Sequence, residues 1–329
     1  MVSVYFQESN AKALKVECDS SQTLLEGLLA AGVGIPNSCR AGLCQACLCQ
    51  GQNQPFEINP EAQDGLSDLQ RRNHLLLACQ ATPVEGLSIS LPTHDGDWLC
   101  ELHDKRWLSS TVVELTFRAE GEWRAGQHLL VWMSDDQVRP YSASNPCNHD
   151  RLIRFVVERH EQGIVSRWCH DQLSVGDKVR LSRPQGEFYL PPDLGGDLVL
   201  FAEGSGIGPA SGIIQSALAV EPSAVCDLFF VHSAHSAAES AKLPQGIAEK
   251  FDGFAGVRIH AHDEGPQKGI NTYSRVKDML ERHSPSLRGK SVFIVGSEAF
   301  VTEMSRACFF SGAARNDIFT EIFVSQVPG

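Results

Sequence analysis

Three cysteines lie close together in the stretch Asn37-Ser38-Cys39-Arg40-Ala41-Gly42-Leu43-Cys44-Gln45-Ala46-Cys47, and a fourth, Cys79, follows the apolar run Leu75-Leu76-Leu77-Ala78. The first three have the spacing Cys-x4-Cys-x2-Cys. This spacing is typical of a loop that holds a [2Fe–2S] cluster while the fourth thiolate comes from elsewhere in the fold. Small residues in the loop allow backbone N–H groups to approach the sulfides and stabilise their negative charge. The sequence therefore predicts that Cys39, Cys44, Cys47 and Cys79 ligate such a cluster.

A zinc site and ordinary buried thiols are the alternatives for these cysteines. Zinc sites favour paired Cys-x2-Cys knuckles, and the sequence has no second knuckle. Cys49 and the remaining cysteines are expected to act as small hydrophobic residues in a reducing compartment. The histidine pairs His232/His235 and His260/His262 lack further ligands in their spacing, so we expect surface or core roles for them.

Length and composition limit the possible classes of protein. A chain of 329 residues, 42% hydrophobic and 21% charged, is long enough for two or three domains. No apolar run reaches the ~18 residues of a membrane helix, and residues 1–8 show no signal-peptide pattern, so we expect a cytoplasmic location. The net charge of −12 is spread along the chain, which argues against nucleic acid and anionic membranes as partners.

The N-terminal ninety residues read as one small domain. Residues 2–16 alternate like a strand pair, residues 23–31 read as a helix with Gly32 as its stop signal, and residues 87–91 form a closing strand. With the cysteine loop and the ending Ala78-Cys79-Gln80-Ala81-Thr82-Pro83, residues 1–92 resemble the plant-type ferredoxin domain. The resemblance implies a β-grasp fold.

Two further segments follow a linker at residues 92–97. Residues 97–195 contain short strand candidates at near-regular spacing, which suggests a small antiparallel barrel. The candidates are residues 112–117, 128–132, 152–157 and 178–181. In residues 196–329, apolar strands alternate with helices, which is the pattern of a parallel sheet. The strand candidates there are residues 198–202, 227–231, 257–260 and 291–295. The fold class is therefore α+β and α/β, with several domains.

A possible flavin motif lies in the middle segment, Arg139-Pro140-Tyr141-Ser142. An arginine can clamp a pyrophosphate, a tyrosine can stack on a flavin ring, and a hydroxyl can hydrogen-bond a ring nitrogen. The segment Gly163-Ile164-Val165-Ser166 follows at a predicted helix start, where backbone N–H groups favour phosphate. By itself the four-residue motif is equally compatible with an ordinary strand end.

A glycine-rich turn opens the third segment, Gly204-Ser205-Gly206-Ile207-Gly208-Pro209. It follows a strand and precedes a helix, which is the context that phosphate binding requires. In this order, residues 97–329 resemble the ferredoxin–NADP reductase superfamily, and the whole chain resembles the fused reductases that serve bacterial oxygenases.

The resemblance implies roles for individual residues. FAD would be bound by Arg139, Tyr141 and Ser142, with its pyrophosphate on residues 163–166 and with Tyr141 and Ser142 beside the reacting ring. The nicotinamide nucleotide would lie at Gly204, Ser205, Gly206, Pro209 and Gly296. Phe323, near the C-terminus, would either approach the flavin or belong to the core.

Three positions depart from the pattern of that superfamily. Glu203 stands where reductases commonly carry glycine or threonine, and Val295-Gly296-Ser297 stands where Cys-Gly-Pro is usual. His232-Ser233-Ala234-His235 stands where relatives often place an arginine near the adenosine ribose. The missing arginine favours NADH over NADPH.

The resemblance implies an NAD(P)H-dependent reductase. Electrons would pass from the nicotinamide through FAD to the [2Fe–2S] cluster, and then to an external acceptor such as an oxygenase component. FAD is suited to the middle position because it links a two-electron donor to a one-electron carrier. The alternative is an electron carrier or redox sensor with a weakened nicotinamide site, which Glu203 and Val295 favour.

Overall fold

The structure of the protein is a computed structural model that describes residues 1–7, 13–52, 63–93, 95–194, 196–232, 242–263 and 271–324. The chain forms two compact units. The first contains residues 1–97, 130–140 and 180–183, and the second contains residues 98–129, 141–179 and 184–329. Three β-sheets of five, six and five strands run through the chain. Within the described ranges, no helix is long and apolar enough to cross a membrane.

The first sheet is mixed. Its strands are β1 Val2–Gln7, β2 Leu14–Cys18, β3 Leu48–Gly51, β4 Leu75–Leu77 and β5 Ser88–Ser90, in the order β2-β1-β5-β3-β4. Strand β1 pairs antiparallel with β2 and parallel with β5. The strand pair predicted within residues 2–16 is confirmed, while residues 8–12 lie outside the described part of the chain.

Helix α1, Leu24–Ala30, precedes the cysteine loop. It begins with a capping box, in which the Thr23 hydroxyl accepts a hydrogen bond from the Glu26 backbone N–H while the Glu26 carboxylate accepts one from the Thr23 backbone N–H. Gly32 follows the last turn with a φ of 79°, a left-handed conformation that ends helices. The helix predicted over residues 23–31 is confirmed, together with its stop. A short helix, α2 Asp68–Arg72, lies just before β4.

The second sheet has six strands. They are β6 Trp98–Trp107, β7 Val112–Arg118, β8 His128–Trp132, β9 Val138–Ser142, β10 Leu152–Glu158 and β11 Lys178–Leu181, in the order β10-β7-β6-β11-β8-β9. The pairs β6–β7, β7–β10 and β8–β11 are antiparallel, as the spacing of the strand candidates predicted. Helix α3, Ile164–Asp171, follows β10.

The third sheet is parallel, as its apolar strand pattern predicted. Its strands are β12 Leu198–Glu203, β13 Cys226–His232, β14 Val257–Asp263, β15 Ser291–Gly296 and β16 Ile318–Ile322, in the order β14-β13-β12-β15-β16. The helices of this segment are α4 Ile207–Val220, α5 Lys242–Ala248, α6 Asn271–His283 and α7 Glu298–Phe310. Separate hydrophobic cores lie on its two faces, because a parallel sheet is covered on both sides.

A buried ion pair lies within the second unit. The Glu114 carboxylate on β7 accepts hydrogen bonds from Lys250 Nζ, in the 3₁₀ turn Glu249–Phe251, and from Arg106 Nη2 at 3.0 Å. The Glu114 and Lys250 side chains are only 6% and 11% exposed. Burial raises the pKa of Glu114, but the two cations outweigh it and leave that pKa below its usual range. Removing either side chain of such a pair leaves the other charge buried in the interior without its closest opposite charge.

We expect Lys250→Met to lower the free energy of unfolding by about 3 kcal/mol, because the buried Glu114 carboxylate would lose its closest cation. The matched control is Lys277→Met. Lys277 Nζ lies 2.8 Å from Glu303, but both side chains are more than one-third exposed, so the loss should stay below about 1 kcal/mol. Urea denaturation of both variants measures the difference. Equal losses of unfolding free energy in the two variants would show that the buried ion pair stabilises the fold no more than the exposed one.

Candidate functional site

The cluster loop, residues 37–47, connects the α1 region to β3. Three of its residues adopt left-handed backbone conformations: Arg40 at φ 52°, Gly42 at φ 79° and Gln45 at φ 56°. Side chains rarely occupy this region, so the two non-glycine positions carry strain that the surroundings must hold in place. A Cβ atom on Gly42 would lie 2.9 Å from Gln80 Cγ. Glycine is therefore required there by both conformation and space.

Backbone N–H groups of the loop point at two of the thiols. The amides of Ala41 and Cys44 each lie 3.4 Å from Cys39 Sγ, and the amide of Cys39 lies 3.4 Å from Cys44 Sγ. N–H donors arranged around sulfur favour the thiolate over the thiol. Cys39, whose sulfur faces two of these donors, is thus the loop thiol on which they best stabilise negative charge.

The four thiols form two pairs, Cys39 with Cys44 and Cys47 with Cys79. A hydrogen bond from the Cys44 thiol lowers the pKa of Cys39 to about 5. A hydrogen bond from the Cys47 thiol lowers the pKa of Cys79 to about 7, and the same bond raises the pKa of Cys47. Each pair therefore contains one thiol that ionises easily beside one that does not.

This pairing fits a two-iron cluster. A structural zinc ion takes four ligands at one centre, whereas these thiols form two separate pairs. A [2Fe–2S] cluster is held by four cysteines, so two cysteine pairs match two irons. The donor set and its N–H environment thus fit the group that the spacing predicted.

Glutamine side chains hold the two parts of the cysteine set together. Gln80 Nε2 donates to the carbonyl of Arg40 at 3.1 Å and lies 3.6 Å from Cys79 Sγ, so it connects the fourth cysteine to the loop. Gln63, which is buried, accepts from the Leu77 amide at 2.7 Å and so fixes the strand before Cys79. Neither residue was predicted, because an amide side chain that bridges distant segments has no spacing signature.

The loop packs against residues 130–140 within the first unit. Cys44 and Ala46 form a small hydrophobic cluster with Leu130, Trp132 and Val138. In the same unit, Arg139 Nη1 donates to the Asn37 carbonyl at 3.3 Å and to the Val138 carbonyl at 2.8 Å. Arg139, predicted to clamp a pyrophosphate, therefore contacts the cluster loop in this structure.

Strand β9 also carries Tyr141 and Ser142. The Ser142 side chain is buried and Tyr141 is half-buried. The Tyr141 hydroxyl is hydrogen-bonded to the Cys169 thiol on α3, while burial raises the pKa of that thiol to about 12. The tyrosine is thus hydrogen-bonded to the helix whose N-cap and first turn form the predicted pyrophosphate segment.

The N-terminus of α3 contains residues 163–166. Its N-cap residue is Gly163, so no side chain caps the first amides. Ile164 is 53% exposed, whereas Val165 and Ser166 are buried. A Cβ atom on Gly163 would lie 2.3 Å from Ser166 Oγ. Uncapped amides at a helix start form a site for phosphate oxygens, and the structure provides such a start here.

The glycine turn lies between β12 and α4, as predicted. Residues Gly204–Gly206 form a 3₁₀ turn, with Gly204 at φ 56°. A Cβ atom on Gly206 would lie 2.9 Å from the Val295 carbonyl oxygen, so the turn contacts the end of β15. Pro209 is buried in the first turn of α4, where a missing N–H breaks no helical hydrogen bond.

Two further glycines place α4 directly against strand β10 and the segment after β9. A Cβ atom on Gly208 would lie 2.9 Å from Val156 Cβ, and one on Gly212 would lie 2.8 Å from the Ser144 carbonyl carbon. The helix backbone therefore contacts the Val156 side chain at Gly208 and the main chain after β9 at Gly212. Gly208 was predicted only as part of the turn, and a role for Gly212 was not predicted.

Glu203, at the end of β12, points toward β15 and α7. Its Oε2 accepts a hydrogen bond from the Ser297 N–H at 2.8 Å. The Phe323 N–H donates to the Gly296 carbonyl at 2.7 Å, and the Phe323 ring is half-buried against the core on one face of the third sheet. Val295 is fully buried. These residues lie where parallel strands end, which is where α/β sheets bind ligands.

The histidine candidates have structural surroundings. The His260 ring stacks on Phe229 and His283, and its Nε2 lies 3.3 Å from Asp227 Oδ1. His232 stacks on the Phe230 ring at the end of β13. The residues that follow it, 233–241, lie outside the described part of the chain. His260 therefore belongs to a core and ion-pair environment.

Comparison with known proteins identifies two domain families. Residues 7–84 match the 2Fe-2S iron-sulfur cluster binding domain, and residues 99–189 match the Oxidoreductase FAD-binding domain. The chain is 33% identical over 308 residues to the reductase subunit of an aromatic O-demethylase from Amycolatopsis, covering 87% of this chain and 89% of that protein. It is 30% identical over 296 residues to the ferredoxin–NAD(+) reductase component of an alkene monooxygenase system from Xanthobacter autotrophicus, covering 85% and 88%.

Solved structures agree with these relatives. The cytochrome P450 reductase GcoB of Amycolatopsis aligns over 98% of this chain and 99% of its own, with a TM-score of 0.62 and 28% identity. A ferredoxin reductase of carbazole 1,9a-dioxygenase aligns over 98% of both chains with a TM-score of 0.63. At 20% identity, this second likeness concerns the fold alone.

Cys47 and Cys49 provide a matched pair for testing the ligand set. We expect Cys47→Ala to remove the visible absorbance of the cluster, because one iron would lose a thiolate. We expect Cys49→Ala to keep it, because Cys49 lies on β3 beyond the loop, is fully buried and belongs to neither of the two thiol pairs. Iron and sulfide content and the visible spectrum of both variants measure the outcome. A normal cluster in Cys47→Ala would exclude Cys47 as a ligand.

Proposed function

We propose, because this chain belongs to the iron–sulfur flavoprotein reductases of oxygenase systems, that it passes electrons from a reduced nicotinamide nucleotide through FAD and a [2Fe–2S] cluster to an oxygenase or cytochrome P450 component. The chain is an oxidoreductase with an iron–sulfur domain and an FAD-binding domain. The observation that carries the proposal is the set of two thiol pairs surrounded by backbone N–H groups, in a chain that continues into an FAD-binding domain.

The domain boundaries that we propose are residues 1–92, 97–195 and 196–329. The first would be a β-grasp domain of the plant-type ferredoxin kind, the second a closed antiparallel barrel, and the third the nicotinamide domain. The bridge between Ala143 and Phe155 supports closure of the barrel, because it links the chain after β9 to β10, and these are the two outer strands of the second sheet.

The roles that we propose for the FAD residues are those that the resemblance to the reductase superfamily implies. Tyr141 and Ser142 would contact the isoalloxazine ring as the catalytic side chains, and residues 163–166 would bind the pyrophosphate with uncapped amides. Arg139 would contribute its cation while its guanidinium also donates to the Asn37 carbonyl. When bound, FAD links a two-electron donor to a one-electron carrier.

The nicotinamide nucleotide would lie on the glycine turn. Gly204, Ser205, Gly206 and Pro209 would form the phosphate side, and Gly296 and Phe323 the side next to the flavin. We propose NADH as the preferred donor, because the segment His232-Ser233-Ala234-His235 contains no arginine to pair with a 2′-phosphate. The eleven free thiols support a reducing compartment, which we take to be the cytoplasm.

The alternative, a carrier or sensor with a weakened nicotinamide site, rested on Glu203 and Val295. Repulsion between the Glu203 carboxylate and a pyrophosphate was the main argument. Because that carboxylate accepts from the Ser297 N–H at the start of a 13-residue helix, its charge is partly compensated there. The reductase is therefore the function that the site supports best.

Anaerobic stopped-flow mixing of the oxidised holoenzyme with NADH and with NADPH tests the function. We expect NADH to bleach the flavin on a catalytic timescale and at least about tenfold faster than subsaturating NADPH, because a 2′-phosphate without an arginine loses a charge-assisted contact. Cluster absorbance should then fall in a second phase. If neither nucleotide bleaches the flavin, the carrier or sensor reading holds instead.

Ser142 and Ser144 allow a matched test of the flavin contact. We expect Ser142→Ala to slow flavin reduction about fivefold to tenfold, the effect of one lost hydrogen bond. Ser144→Ala should leave the rate unchanged, because the buried Ser144 hydroxyl has no hydrogen-bond partner among the described residues. Single-turnover rates at saturating NADH, corrected for FAD content, measure both. An equal slowing in both variants would argue against a specific contact from Ser142.

A further inference from the structure

In one peptide group at the end of β15, both the carbonyl and the N–H form hydrogen bonds. The carbonyl of Gly296 and the N–H of Ser297 belong to the same planar unit. The carbonyl accepts from the Phe323 N–H at 2.7 Å, and the N–H donates to Glu203 Oε2 at 2.8 Å. Because the unit is rigid, a shift at one hydrogen bond also changes the other.

This peptide lies between the two sides of the proposed nicotinamide site. Val295 pairs with Ala202 of β12, and Gly296 pairs with Ile322 of β16. A Cβ atom on Gly296 would lie 2.7 Å from Glu203 Cβ and 2.9 Å from Phe300 Cδ1. The backbone is therefore tightly enclosed, and Glu203 forms one wall of the enclosure.

The Glu203 and Ser297 departures noted in the sequence meet at this hydrogen bond. Glu203 replaces the usual small residue, and Ser297 replaces the usual proline. A proline at position 297 has no N–H and could not donate to a carboxylate. Ser297 supplies that donor, and its hydroxyl also accepts from the Phe300 N–H as the N-cap of α7. The carboxylate also lies at the positive end of a 13-residue helix.

We propose that Glu203 is a positioning residue for flavin reduction, which holds the 296–297 peptide and through it the backbone at Phe323. This inference rests on the proposed function. Glu203 would affect the geometry of the side of the nucleotide site next to the flavin, and not the glycine turn. The reason is that its carboxylate is hydrogen-bonded to the Ser297 N–H. Loss of the carboxylate should therefore lower the rate of flavin reduction more than it weakens nucleotide binding.

The first test uses Glu203→Ala and Glu203→Gln, with Glu298→Ala as the matched control. Glu298 is an exposed carboxylate in the first turn of the same helix. We expect Glu203→Ala to slow flavin reduction by NADH about tenfold, the effect of losing a hydrogen bond to a charged group, with less than about twofold change in the Kd of ADP-ribose. Glu203→Gln, which keeps an acceptor oxygen, should restore most of the rate. Glu298→Ala should behave as the wild type.

A second readout does not depend on electron transfer. Hydrogen–deuterium exchange of the nucleotide-free protein should show faster exchange at the Ser297 and Phe323 amides in Glu203→Ala, by about tenfold or more, and not in Glu298→Ala. Unchanged exchange at both amides, or a flavin reduction rate equal to that of the wild type, would overturn the proposal.

A double-mutant comparison tests whether the two departures depend on each other. Ser297→Pro removes the donor and should slow flavin reduction, because the Glu203 carboxylate is left without its partner. Adding Glu203→Gly, which recreates the small residue usual in relatives, should recover the rate about fivefold or more within the proline background. Both proline variants lack the same serine cap, so their difference reports on Glu203 alone. If the effects of Ser297→Pro and Glu203→Gly on the rate of flavin reduction simply add in the double variant, the proposed dependence of Glu203 and Ser297 on each other is overturned.

Failure of the proposed function gives a different result. In that case the wild type is not reduced by either nucleotide, whereas exchange at Ser297 and Phe323 still responds to Glu203→Ala if the positioning contact is correct.

Discussion

Sulfur atoms that carry negative charge away from water need N–H donors around them, and the first unit is arranged to meet this need. The amides of Cys39, Ala41 and Cys44 point at loop sulfurs from a backbone that turns left-handed at three positions. That backbone is in turn held by Gln80 and by the hydrophobic contact with Trp132 and its neighbours. The strained backbone of the loop is thus held in place by contacts with residues outside the loop.

Part of this arrangement was predictable from the sequence. The Cys-x4-Cys-x2-Cys spacing is a local pattern, because three ligands must come from one tight loop, and the helix before it has a local stop signal at Gly32. The resemblance to the fused reductases is confirmed by the domain families and by relatives at 30% identity and above. The assignment of individual ligands and cofactor contacts stays a prediction.

The rest depends on contacts between distant segments, which carry no periodic signal. Gln63 and Gln80 hold the fourth cysteine through amide groups that any surface glutamine also has. Strand β9 contains Pro140, which weakens a strand pattern, and it lies at the edge of its sheet, where proline is tolerated. The direction of Glu203 could not be predicted either. The sequence places a carboxylate beside the glycine turn, and only the fold shows that it reaches Ser297.

The close approach of α4 to the second sheet has a consequence for substitutions in this helix. At Gly208 the helix backbone lies directly against the Val156 side chain, and at Gly212 it lies against the Ser144 backbone. Neither a β-branched side chain in the core nor a main-chain carbonyl group can easily move aside for an added methyl group. These two contacts fix the spacing between the segment that carries Arg139-Pro140-Tyr141-Ser142 and the glycine turn that opens α4. A single added carbon at either glycine would therefore push the two segments apart.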